Sequence, residues 1–85
     1  MGRAKRHSPK RLAEKLLMIR EKSGLSMSEL VEKLGSKDIP LYKADISKFE
    51  AGLREPPLVI LLRYSRLGKI SVESIIDDDD FDIDL

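Results

Sequence analysis

Apolar residues return at helical spacing along most of the chain. Leu12, Leu16 and Ile19, flanked by Ala13 and Leu17, form one stripe, and Glu14, Lys15, Glu21 and Lys22 fall off it. Ser8-Pro9 supplies an N-cap followed by proline at the first helical position, and Ser23-Gly24 is a stop, so a first helix is predicted from about Pro9 to about Lys22. Ser26 and Glu29 make a capping box that opens a second helix over Met27 to Leu34, with Leu30, Val31 and Leu34 inward and Gly35 as a left-handed cap. A third helix is predicted after SKDIPLYKAD, from about Leu41 or Tyr42 to Ala51. It buries Ile46 and Phe49 and turns Lys43, Ala44, Ser47 and Lys48 outward, and Gly52 closes it. Beyond Leu53-Arg54-Glu55-Pro56-Pro57, a fourth helix over about Leu58 to Leu67 is expected to bury Leu58, Leu61 and Leu62, with Tyr64 a further candidate, and Gly68 caps it. Ser71 caps a short fifth helix to about Asp77, with Val72, Ile75 and Ile76 toward the core. The pattern predicts an all-α, compact five-helix domain.

Composition narrows the function classes. At 85 residues there is one small core and no room for a second domain. The longest apolar runs, Leu16 to Ile19 and Leu58 to Leu62, fall far short of the ~20 residues that cross a bilayer, so no membrane partner is expected. The basic start has no apolar segment behind it, and Arg6 stands where a myristoylation signal needs Ser or Thr, so the expected location is the cytoplasm. Without cysteine and with a single histidine, the chain offers no disulfide, thiolate or ordinary zinc site. No enzyme, cofactor or small-molecule substrate is expected. His7 lies in the basic start with no nucleophile visible beside it, no glycine-rich phosphate loop is present, and Asp77 to Asp80 lack the ligand spacing of a calcium loop.

Charge is segregated. Residues 1–76 carry 16 basic and 9 acidic groups, a balance of +7 that the aspartates at the end reduce to +1. A body of that sign suits a polyanion. Three parts follow: a basic arm, 1–8, with Arg3, Lys5 and Arg6; a helical domain, 9–76; and an acidic tail, 77–85. The arm either lies along phosphates or in a minor groove, or is simply solvated. The tail alternates acid and apolar residues from Asp80 to Leu85, the period of a strand. Three readings are open for it: an edge strand for a partner protein or second copy, a DNA mimic lying over the basic recognition surface, or disorder from like-charge repulsion.

The strings LLMIREKSGLSMSELVEKLG, ISKFEAG, REPP and LLRYSRLGKISVESII, taken in that order, resemble the phage repressor and Cro type of helix-turn-helix domain, the xenobiotic-response-element family, over about Leu12 to Ile76. No one string is decisive. The set is specific because the family places an arginine four residues before the glycine that ends its first helix, a glutamate near the end of its third, and a proline opening its fourth. Here these are Arg20, Glu50 and Pro57.

The resemblance implies a sequence-specific regulator of transcription, most simply a repressor, that binds double-stranded DNA as a homodimer on the nucleoid. Its half-sites would lie about 34–36 Å apart, and the third helix would enter the major groove. Lys43, Ala44, Ser47 and Lys48 take the base-reading positions, with phosphate or solvent contact as the plainer role for the lysines. Ser26, Met27 and Ser28 take the phosphate positions at the start of the second helix, although Met27 stands where many relatives have glutamine. Arg54 is read as a phosphate clamp or a free surface arginine, and Arg20 with Glu50 as a partly buried structural ion pair. One departure is plain. Eleven steps separate Gly35 from Ile46, about five more than the family's turn, so the turn bulges or the third helix starts early, and the register of Lys43 against Tyr42 hangs on which. Tyr42 itself either meets the DNA backbone or closes a small core beside Leu41. The alternative function is a protein-interaction module, an antitoxin or adaptor, working through the acidic tail and the fifth helix.

Overall fold

The computed structural model describes residues 11–77. Arg3, Lys5 and Arg6 of the basic arm, the Ser8-Pro9 cap and the acidic tail from Asp78 onward lie outside the described residues. Within them the chain forms five helices and no strand: α1 Leu12–Ser23, α2 Met27–Leu34, α3 Lys43–Glu50, α4 Leu58–Gly68 and α5 Val72–Ile76. None is long and apolar enough to cross a membrane.

Local chemistry accounts for most boundaries. Gly24 adopts the left-handed conformation at φ 71°, its N–H donates to the Glu21 carbonyl, and the Leu25 N–H reaches back to Arg20. This closes α1 with the paired bonds that a β-carbon would strain. Ser26 Oγ accepts from the Glu29 N–H at 3.1 Å while Glu29 Oε1 accepts from the Ser26 N–H at 2.9 Å, the reciprocal cap expected of this pair. Ser71 caps α5 in the same position, accepting from Ser74 N–H.

α1 is the centre of the packing and touches α3, α4 and α5, and α2 packs against α3 and α4. The core joins Leu12, Leu16 and Ile19 of α1 to Leu30 and Leu34, Ile46 and Phe49, Ile60, Leu61 and Tyr64, and Ile75. Leu41, in the α2–α3 connection, is buried with them.

Several expectations are corrected. Gly35 is extended, not left-handed, at φ −84°. Its β-carbon would lie 2.9 Å from the Val31 carbonyl oxygen and 3.2 Å from Leu41 N, so glycine is required by close approach. In α4 the inward face is Ile60, Leu61, Tyr64 and Ser65, whereas Leu58 is 74% exposed and Leu62 lies at the surface. The run Leu58-Val59-Ile60-Leu61-Leu62 has no phase of its own, and the large Tyr64 ring and Gly68 set it. Gly68 is the last residue of α4 rather than its cap, placed where a β-carbon would press on Ile19, and the left-handed cap is Lys69 at φ 57°. In α5 only Ile75 is buried, Val72 is half-buried, Ile76 is exposed, and the helix ends one residue before Asp77. Pro57 stands just before α4 as its N-cap residue.

Lys15 is the largest departure. Expected off the apolar stripe, it is buried, and its ammonium donates to the carbonyls of Ser74, at 2.8 Å, and Asp77. A positive charge at the end of α5 satisfies acceptors that a five-residue helix leaves open and opposes the negative pole there. The stem meanwhile lies along the core. Lys15→Met, which keeps the stem and removes the donor, is expected to lower the unfolding free energy by about 1–3 kcal/mol. Urea denaturation with unchanged midpoint would show that those carbonyls do not depend on it.

Candidate functional site

α3 is held at both ends. At its start the Tyr42 backbone is extended, and its N–H donates to Asp45 Oδ2 at 2.9 Å. Asp45 Oδ1 accepts from Arg54 Nη1 at 2.6 Å, and the Arg54 guanidinium carbon stands 5.7 Å from the centre of the Phe49 ring. Asp45, the third residue of the helix, therefore caps it through the backbone and ties it to the loop that follows. Arg54 is not a free surface arginine. One of its nitrogens is committed to Asp45, and about half of the side chain remains exposed.

At the other end Arg20 and Glu50 form a two-pronged pair, Nε to Oε2 at 2.6 Å and Nη2 to Oε1 at 3.0 Å, with Arg20 Nη1 also donating to the Leu25 carbonyl. The hydrogen bond to Glu50 raises the Arg20 pKa above its ordinary value against the opposing effect of burial. The pair links α1 to the last residue of α3, as the sequence suggested. Tyr64 is buried nearby. Burial, then the charge of Glu50, pushes its phenol above the ordinary range, and its hydroxyl has no hydrogen-bond partner among the described residues.

With Ile46 and Phe49 locked inward, Lys43, Ala44, Ser47 and Lys48 are exposed. Positions i, i+1, i+4 and i+5 share one face of a helix. Neither lysine has an ion-pair partner among the described residues. Tyr42, just before the first turn, is 66% exposed, so it does not close the core and Leu41 does.

The start of α2 carries the expected capping box, which uses one of the three residues placed at the phosphate positions. Ser26 is occupied by the capping box, and both bonds with Ser26, the backbone one first, lower the Glu29 carboxyl below its ordinary value. Met27 packs against the core, and Ser28 alone of the three presents an exposed hydroxyl without an internal bond.

No protein-family model, curated protein or solved structure matches the chain. Function therefore rests on the surface itself. Among the described residues no three His, Cys, Asp or Glu side chains gather as a metal site. Two partners went unseen in the sequence. Asp45 stands three residues after Tyr42, the spacing of a capping acid, but tyrosine is not a capping residue and the signal was lost. Arg63 donates to the Leu34 carbonyl at 2.7 Å and so closes the end of α2, a contact between residues 29 apart that has no local signature.

Arg20→Met should cost about 3–5 kcal/mol, because Glu50 is left almost buried and uncompensated. At about 4–8 °C of Tm per kcal/mol for a domain of this size, calorimetry should show the transition lowered by about 12–40 °C. Tyr64→Phe should leave stability at neutral pH unchanged or slightly higher, since it removes a hydroxyl with no partner. Below about pH 10 that hydroxyl is protonated in both states. Above it the unfolded chain loses the proton while the folded chain keeps it, so stability falls. Urea midpoints at about pH 8 and about pH 11 should therefore separate less in Tyr64→Phe than in the parent chain.

Proposed function

We propose that the protein is a sequence-specific double-stranded DNA-binding regulator of transcription, a helix-turn-helix domain of the repressor and Cro type that acts as a repressor. The observation that carries this reading is the outer face of α3. Lys43, Ala44, Ser47 and Lys48 stand exposed on a short helix whose inner face and both ends are fixed. A lysine on such a face can donate to guanine O6 and N7, Ala44 can meet a thymine methyl, and the fixed ends keep the reading geometry from wandering. Ser28 and the exposed part of Arg54 supply neighbouring phosphate contacts. Selection of random duplexes at physiological salt is expected to enrich one repeated or palindromic site, and the Lys43→Glu/Lys48→Glu chain should lose it. Retention of duplex without sequence preference would point to charge alone.

The same reading needs a second copy, and α4 offers the surface. Leu58, Val59 and Leu62 are exposed on it, with Leu53 exposed in the preceding loop. An isologous contact through these four residues doubles the apolar area that one copy removes from water. The exposed apolar area thus lies mainly on α4, not on α5. Leu58→Glu/Leu62→Glu is expected to sediment as a monomer and to lose at least tenfold in affinity for the selected site. A parent chain that sediments as a monomer at every concentration would assign this face to a different protein, the adaptor-like alternative.

A further inference from the structure

A shallow groove runs between the end of α2 and the second half of α4, lined by Lys33, Leu34, Arg63, Arg66 and Leu67. Leu34 is buried and Leu67 half-buried, so the floor is apolar. The rim is cationic. Arg63 is fixed by its bonds to the Leu34 carbonyl and Ser36 Oγ, while Lys33 and Arg66 are exposed and have no ion-pair partner among the described residues. No acidic residue lines the groove; the opposing charge that Lys33 acts on, Glu29, lies one turn before it and outside the lining, and no residue of α3 takes part. The groove is therefore separate from the face assigned to base reading, and nothing below depends on DNA binding.

Chemistry and reach single out an occupant. A ligand for this groove must carry carboxylates and apolar groups in alternation, so that one side meets Leu34 and Leu67 while the other meets the rim. Residues 78–85 of the chain, Asp-Asp-Asp-Phe-Asp-Ile-Asp-Leu, have that pattern. In an extended segment Phe81, Ile83 and Leu85 share one side and the aspartates the other. The segment leaves the fold at Asp77, whose carbonyl is held by Lys15, at the end of a helix that packs on α4. Eight extended residues span up to about 26–29 Å. That is more than twice the diameter of a helix with its side chains, about 10–12 Å, and α2 and α5 both pack against α4.

We propose that residues 78–85 occupy this groove of their own chain, with the apolar side chains on Leu34 and Leu67 and the aspartates among Lys33, Arg63 and Arg66. Tethering gives the segment an effective concentration in the millimolar range, so individually weak contacts suffice. The contact is salt-sensitive, because its charged partners sit at the surface.

The absence of cysteine makes the test direct. A nitroxide on Asp84→Cys of the full chain should remove most of the amide signal intensity at Lys33, Leu34, Arg63, Arg66 and Leu67 at low salt. Those signals should return in about 1 M salt, where the screening length falls to about 3 Å. They should also return in the same labelled chain carrying Lys33→Glu/Arg66→Glu, or Phe81→Ser/Ile83→Ser. Broadening centred on residues 43–48, or weak broadening spread evenly over the domain, would overturn the proposal. So would broadening seen only when spin-labelled copies are mixed with isotope-labelled ones, since that places the segment on a second molecule.

Discussion

The pair between Arg20 and Glu50 is the constraint on which the placement of α3 depends. α3 has eight residues, well under the roughly 12–15 at which an isolated helix begins to persist in water, so tertiary contacts must both form it and aim it. Ile46 and Phe49 give it an inner face, but apolar contacts alone allow sliding and rolling. A guanidinium meeting a carboxylate with two bonds opposes both, because sliding or rolling the helix spoils the alignment that the two bonds need at once. Removing two charges from water is expensive, and the third bond, from Arg20 to the Leu25 carbonyl, helps to offset it at the turn where α1 ends. The turn closed by Gly24 and the seat of α3 are thereby one structural unit.

Where a boundary is set by neighbours in sequence, it was legible. Gly24, the Ser26–Glu29 reciprocal cap and Ser71 each act within a few residues, and the end of α1, the whole of α2 and the start of α5 fall close to where those signals put them, whereas α1 begins at Leu12, with Arg11 non-helical before it, rather than at about Pro9. The pairing of Arg20 with Glu50 and the outward face of α3 were legible as well, the first by resemblance and the second from periodicity. What failed shares one physical cause, a decision made at long range. Five consecutive apolar residues in α4 fit any rotation of the helix, and Tyr64 with the Gly68–Ile19 approach chooses one. Lys15 reads as a surface lysine until α5 arrives with carbonyls that need a donor. Gly35 reads as a left-handed cap until Leu41 returns across it.

The long connection from α2 to α3 illustrates the same distinction. Its extra residues do not lengthen α3. The Ser36 N–H donates to the Ile39 carbonyl and the Ile39 N–H donates to Ser36 Oγ, which folds the insertion into a local turn. Ile39 then packs against the core, Leu41 buries itself within it, and Tyr42 remains outside. Leu41 is thus the anchor that sets the register, because burying it leaves Lys43 to open the helix. The exposed aromatic ring consequently stands at the mouth of α3 rather than beneath it.

The capping chemistry also limits how α2 and α3 can meet a phosphate backbone. A helix start ordinarily attracts an anion through its free N–H groups and the positive pole of its dipole. In both helices a carboxylate already answers that pole: Glu29 bonds to the Ser26 N–H, and Asp45 bonds to the Tyr42 N–H while holding Arg54. A phosphate approaching either start meets a negative charge within the first turn. Phosphate contact in the proposed complex therefore falls to side chains, to Ser28 and to the nitrogens of Arg54 not spent on Asp45. Arg54 is the more telling of the two, since whatever draws it toward a phosphate loosens its hold on the acid that caps α3. In the proposed complex, affinity for the backbone and rigidity of α3 are coupled through that single guanidinium.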